Sequence, residues 1–207
     1  MFPSSVFSWG WGWFCNASSS GLLLSDILDQ YQTATHEFLE ADQDKWFHYG
    51  DSNISDALGA TALMAQDLSI KRLSNFTIDT TKMATTDGYT GLSLQHWFTK
   101  LCLKLNGAGI KRDKLESIDY SMFEEEEYAD VLRLLVQFPD IVKSSFNHLE
   151  PSIVLTYLFR ITDLLPNALD EEAEGSHQNL AQLAFYESVR QVLENGMRMV
   201  GLVPMKM

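Results

Sequence analysis

Apolar positions recur along most of this chain with the period of a helix, and no stretch shows the strict alternation of a half-buried strand. Leu22 to Tyr49 reads as one or two helices and Asp56 to Arg72 as another, which the polar loop SNFTIDTTKMATTDGYTG ends. Between Leu92 and Leu105, a helical stripe runs through Leu94, Phe98, Leu101 and Leu105 until NGAG stops it. In the second half, Ser121 and Glu124 have capping-box spacing ahead of VLRLLVQF. Pro139 and Pro151 stand where helices begin, because a first-turn proline loses no hydrogen bond. Val154, Leu158, Ile161 and Leu165 then line one face. The last helix carries Phe185, Val189, Val192, Gly196 and Val200 on one side, and Gly196 there signals close packing or a helix end. An apolar tail follows, with Leu202, Val203, Pro204 and Met205 where most domains fray. The expected fold is an all-α helical bundle without internal repeats, with a boundary near 106–122.

Composition narrows the function classes. A length of 207 residues suits one domain or two small ones, and 45% apolar residues support a real core. No run approaches the roughly 18 apolar residues of a membrane span, so no membrane association is expected. No Lys or Arg occurs before Lys45, so MFPSSVFSWGWGWF lacks the basic start of a secretory signal. Its Trp9, Trp11 and Trp13 alternate with glycines, as a stacking platform or as a disordered or docked tail. Cys15 and Cys102 are too few for a disulfide framework and have no metal-ligand spacing, so a reducing, cytoplasmic setting without metal or cofactor is expected. The net charge of -13 argues against broad electrostatic binding to a polyanion, so any nucleic-acid contact must be local. Lys100, Lys104, Lys111, Arg112 and Lys114 fall in one window, with the acidic run Glu124 to Glu127 downstream; both also fit solvated helix surface.

The closing stretch SVRQVLENGMRMVGLVPMKM resembles the end of arginyl-tRNA synthetase, whose last helix reads V-R-Q-V-L-x-N-G-M/L-x-L-L-G-x. FPDIV and LEPSIVLTYLFRI are similar to that family's anticodon-binding bundle. LLLSDILDQ and LGATALMAQDLSIKRLSNFTIDTTKM resemble segments leading out of its catalytic domain. The likeness covers residues 22–207 and implies a flexible segment at 1–21, a catalytic-domain remnant at 22–106 and an anticodon-binding-like bundle at 120–207. No counterpart of the family's His-x-Gly-His motif is present, and CNASSSG lacks a basic residue to hold a triphosphate, so ATP-dependent activation is not expected. The family's E-G-D-T-G-P-Y-L-Q-Y-A-H-A-R is replaced by DGYTGLSLQHWFTK. Gln95 is retained, and the resemblance implies a place in an arginine pocket. Ser93, His96 and Lys100 are new and share one helix face.

These departures look like the fungal arginine-containing cyclodipeptide synthases. That likeness implies an aminoacyltransferase of secondary metabolism that joins arginine from Arg-tRNA to the residue on a second aminoacyl-tRNA, with downstream biosynthetic enzymes as further partners. The chemistry needs a base for an α-ammonium group, and His96 has a suitable ordinary pKa of about 6.5. Ser93 could accept the acyl group, and Lys100 could neutralise tRNA phosphates. Asp67 or Asp87 could pair with a guanidinium, beside Gln95 and Tyr89. Ser93 with His96 is also an ordinary local polar pair, and Asp67 with Lys71 an ordinary exposed ion pair at i,i+4. Lys104, Lys111, Arg112, Tyr157, Arg160 and Tyr186 are candidate tRNA contacts, by phosphate pairing and base stacking; the two tyrosines and Arg160 fit the bundle's own core and surface equally. The family's aromatic cluster is replaced by Leu164-Leu165-Pro166-Asn167. A tRNA-Arg-binding adaptor without catalysis, or a degenerate synthetase fragment, is the alternative.

Overall fold

The computed structural model describes residues 6–8, 23–41, 52–79, 82–105, 119–169 and 180–205. Seven helices carry the architecture among them: α1 (Leu24–Ala41), α2 (Ser52–Leu68), α3 (Gly91–Leu105), α4 (Glu126–Val136), α5 (Phe138–His148), α6 (Ser152–Leu169) and α7 (Leu180–Met199). The fold is all-α. A short antiparallel ribbon adds to it, β1 (Val6–Ser8) against β2 (Asn75–Thr77), with Phe7 opposite Phe76. The ribbon draws three residues of the expected flexible segment into register with the expected polar loop.

The periodic stripes become the core. Leu94, Phe98 and Leu101 of α3, Val131 and Leu134 of α4, Val154, Leu158, Ile161 and Leu165 of α6, and Phe185, Val189 and Leu193 of α7 form one buried cluster. Burying each Leu or Phe contributes about 1.5–3 kcal/mol relative to exposure. This cluster takes residues from both sides of the boundary expected near 106–122. Gly196 lies within α7 and ends nothing: a methyl group there would stand 2.6 Å from Leu158 Cδ2, so its absence lets α6 and α7 close together. A smaller cluster joins Ile27 and Tyr31 of α1 to Ala62 of α2 and Leu92 of α3.

Several expectations need correction. Ser121 and Glu124 form a short 3₁₀ turn, and α4 starts after it at Glu126 without a side-chain cap, so no capping box forms. The helix expected to reach Arg72 stops at Leu68. Lys71 therefore lies past the helix end and is not the i,i+4 partner of Asp67. Pro139 does occupy the first turn of α5.

The apolar tail is seated. Beyond α7, Gly201 adopts φ 82°, and the Leu202 amide donates to the Met197 carbonyl while the Gly201 amide donates to that of Arg198. That pair of bonds turns the chain back on the helix, and the positive φ favours glycine at the turn. Leu202 and Pro204 are then buried, and Met205 packs near Leu58.

Candidate functional site

The loop before α3 and the start of α3 are built together. The Thr90 hydroxyl donates to the Thr85 carbonyl at 2.7 Å and accepts from the Ser93 amide at 3.0 Å. Thr90 therefore caps the helix at its third turn residue, as a side-chain oxygen before a helix does. Gly88 takes φ 73°. Gly91 touches the neighbouring helix backbone: a Cβ there would lie 2.5 Å from the Thr61 carbonyl oxygen. Only glycine lets α3 begin so close to α2, and this contact fixes where the next residues point.

Next to that junction lies a cleft of about 280 Å³ between the loop, α3 and α6. Thr86, Asp87 and Gly88 come from the loop, Ser93, His96 and Trp97 from α3, and Thr162, Asp163 and Pro166 from α6. Ser93 is 3% exposed, and its hydroxyl has no hydrogen-bond partner, a distinction no other buried side-chain oxygen or nitrogen shares among the described residues. An orphaned buried polar group costs about 1–3 kcal/mol. Pro166 adds a second opening, since it has no N–H for the carbonyl of Thr162 one turn earlier. The Tyr89 hydroxyl donates to Asp163 Oδ2 at 2.7 Å, and its ring stacks on Phe159 at 5.2 Å. That bond, and then the Asp163 charge, push the Tyr89 pKa up, with Arg160 acting against them. The pair ties the loop to α6 across the cleft. Lys100 is half-buried one turn past His96, with Nζ 4.7 Å from the centre of the Trp97 ring.

Ser93, His96 and Asp87 thus meet in one cleft, Tyr89 bonds to its wall residue Asp163, and Lys100 lies over the ring of its wall residue Trp97. Other candidates lie elsewhere. Gln95 is fully buried on the opposite side of α3. Its Nε2 donates to the Val203 carbonyl at 2.7 Å, and its Oε1 accepts from the Met205 amide at 3.1 Å. Both halves of its amide hold the tail, so the expected place in an arginine pocket gives way to a structural brace. Asp67 lines a separate hollow of about 330 Å³ with Leu149 and Glu150, where burial raises its pKa. Tyr157 and Tyr186 are core residues, 2% and 0% exposed. The Tyr157 hydroxyl donates to the Leu134 carbonyl at 2.9 Å, and burial pushes its pKa up to about 12. A base cannot stack on either ring as placed, because helix packing covers both. Lys104 sits over the Tyr186 ring at 5.6 Å. Arg160 is exposed on α6, and Lys111 and Arg112 lie outside the described residues.

Sequence reading missed the α6 wall of the cleft. Thr162 and Asp163 carry no local signal, and Pro166 inside a helical stripe was the one visible clue. No group of His, Cys, Asp and Glu among the described residues is arranged to hold a metal. No described helix is long and apolar enough to cross a membrane.

Residues 101–207 match the DALR anticodon binding domain family, which is more than half of the chain. The chain belongs to that family. The DALR match begins inside α3 and takes in all of α4 to α7, so the cleft straddles its edge: α6 lies within the match, while Ser93, His96 and the loop precede it. Similarity to known proteins runs further upstream. The chain is 32% identical over 190 residues to the cytoplasmic arginine–tRNA ligase of Saccharomyces cerevisiae, covering 89% of this chain and 31% of that protein. It is 29% identical over 188 residues to the mitochondrial ligase of the same yeast, covering 88% and 29%. The fold is similar to that of Plasmodium falciparum arginyl-tRNA synthetase, with TM-score 0.72 and 16% identity over 88% of this chain and 33% of that one. For the Thermus thermophilus enzyme the values are 0.71 and 15%, over 86% and 31%. The DALR chain thus spans about a third of the length of the relatives it matches.

Proposed function

We propose that the chain binds tRNA-Arg through its DALR-family bundle and performs no ATP-dependent activation. The membership of residues 101–207 in an anticodon-binding family carries this reading. Because the net charge is -13, recognition has to come from a few local contacts, and so few phosphate contacts give a shallow dependence on salt. Exposed Arg160 and half-buried Lys104 are the described candidates. Filter binding of tRNA-Arg against another tRNA at physiological salt tests it. Saturable, preferential binding that Arg160→Glu weakens is the expected result; equal binding of both tRNAs, or none, sinks the reading.

A second reading is favoured by the cleft, where an unpartnered serine hydroxyl and a histidine line the same space. In it the chain makes an arginine-containing cyclic dipeptide from Arg-tRNA and a second aminoacyl-tRNA. The Ser93 hydroxyl attacks the arginyl ester carbonyl and gives its proton to His96, which returns it to the departing tRNA 3′-oxygen. The amine of the second aminoacyl-tRNA attacks the Ser93 ester, forms the first peptide bond and frees Ser93. The arginyl amine then attacks the remaining tRNA ester, releasing the second tRNA and closing the ring. Two ester bonds are spent, two amide bonds form, and no ATP is used. Mass spectrometry of a mixture of both charged tRNAs with the protein tests it. An arginine-containing cyclic dipeptide, lost in Ser93→Ala, is expected; charged tRNA decaying at its spontaneous rate excludes the reaction.

A further inference from the structure

We propose that the cleft between α3 and α6 is a binding site for a small organic cation, bearing an ammonium or guanidinium group, that the chain holds whether or not tRNA is bound. The proposal shares its location with the acyl-transfer reading and asks only for reversible binding, with no covalent step.

Two carboxylates line the cleft, Asp87 from the loop and Asp163 from α6, and no Lys or Arg lines it. Arg160 is close enough to bias Tyr89, Lys100 lies over the Trp97 ring, and His96 is the one basic side chain in the lining. The neutral groups add acceptors. The Thr162 carbonyl has lost its helical donor to Pro166, and the Ser93 hydroxyl is buried without a partner in either role. Asp163 takes one bond from Tyr89 on Oδ2, and a carboxylate can accept about four. The cleft thus carries two carboxylates among its acceptors, and its own donors are hydroxyls and the ring N–H groups of Trp97 and His96. Phosphate and carboxylate ligands are disfavoured there. An ammonium supplies three donors and a guanidinium five, and charge-assisted bonds to carboxylates are roughly twice as strong as neutral ones.

Size and rigidity fit. A volume of about 280 Å³ equals roughly nine waters of liquid and is at the small end of ligand pockets. Trp97 gives an apolar wall for a methylene chain. The Tyr89–Asp163 bond, the Tyr89–Phe159 stack and the Thr90 cap hold the two sides before any ligand arrives. The orphaned Ser93 hydroxyl is the feature that acidity alone leaves unexplained: a ligand amide, ester or amine positioned beside the cation would complete it.

The experiment titrates the full chain with Nα-acetyl-arginine methyl ester, with cadaverine, and with Nα-acetyl-citrulline methyl ester, which keeps the shape of the first and removes its charge. Ligand-observed NMR and thermal protection are the readouts. Binding of a cation at millimolar concentration or below, at least about tenfold tighter than the citrulline ester, is expected. Arginine ester over cadaverine identifies a guanidinium site, and the reverse an ammonium site. Asp163→Asn and Asp87→Asn should each weaken the cation and leave the citrulline ester unchanged; both keep side-chain size, and far-UV circular dichroism checks their fold. Equal affinity for the neutral ester, no binding by either cation, or full affinity in both variants overturns the proposal. Filter binding of tRNA-Arg runs in parallel. Cation binding without tRNA binding overturns the tRNA reading alone, and the converse overturns this one alone.

Discussion

Gln95 gives the sharpest separation between a ligand contact and a structural brace. Replacing it with Leu keeps the volume and removes both bonds to the tail, the 2.7 Å bond to Val203 and the 3.1 Å bond from Met205. A typical hydrogen bond contributes about 1 kcal/mol net, so the two together are worth about 2 kcal/mol. Val203 is largely exposed, so its carbonyl can turn to water and the full burial penalty does not apply. For a chain of this length each kcal/mol moves the melting temperature by about 2–4 °C, which predicts a fall of about 4–8 °C. Gln95→Glu sharpens the test. Protonated, the acid reproduces both bonds; ionised, it sets a carboxylate against the Val203 carbonyl oxygen in a buried position. Burial raises the folded-state pKa of such an acid, so its deficit is full above that raised value and disappears as pH falls below about 4.3, the ordinary value. Thermal melts followed by circular dichroism at neutral and acidic pH read both effects. If Gln95→Leu melts within about a degree of the parent while tRNA or cation binding collapses, the brace is wrong and a recognition role is right.

Three further outcomes follow from the packing. Gly91→Ala places a methyl 2.5 Å from the Thr61 carbonyl oxygen, where no rotamer gives relief. Overpacking should cost about 1–3 kcal/mol despite the better helix propensity, and an unchanged urea midpoint would contradict the close helix contact. Ser93→Ala removes a hydroxyl with no partner, so stability should hold or rise by about 1 kcal/mol; a clear loss in the melt would mean that the hydroxyl is bonded. Burial raises the Asp67 pKa, so its ionised form opposes folding, increasingly as pH rises from the ordinary aspartate range through the raised value. Asp67→Asn should therefore melt higher than the parent at neutral pH, with the gap closing toward pH about 3.9; a gap independent of pH would refute the assignment.

Much of this molecule is local in origin. The period of apolar residues specified helices, because a helix buries one stripe whatever it packs against, and Leu94, Phe98, Val154, Leu158, Phe185 and Val189 all lie where that period put them. Ser93 and His96 could be placed on a shared face because three residues is nearly one turn. The partners of that face could not. Asp163 meets Tyr89 across 74 positions of chain, and nothing near either residue announces the other. For Tyr157 and Tyr186 the sequence left tRNA contact and bundle core equally open until the helices closed over them, and Gln95, given a place in an arginine pocket by resemblance, is buried with them. A polar side chain in isolation has the same chemistry in a pocket and in a core. Which it serves depends on the backbone groups brought to it from elsewhere, and helix period carries no information about those: the Val203 carbonyl for Gln95, the Leu134 carbonyl for Tyr157, and for Ser93 a space that no protein group fills.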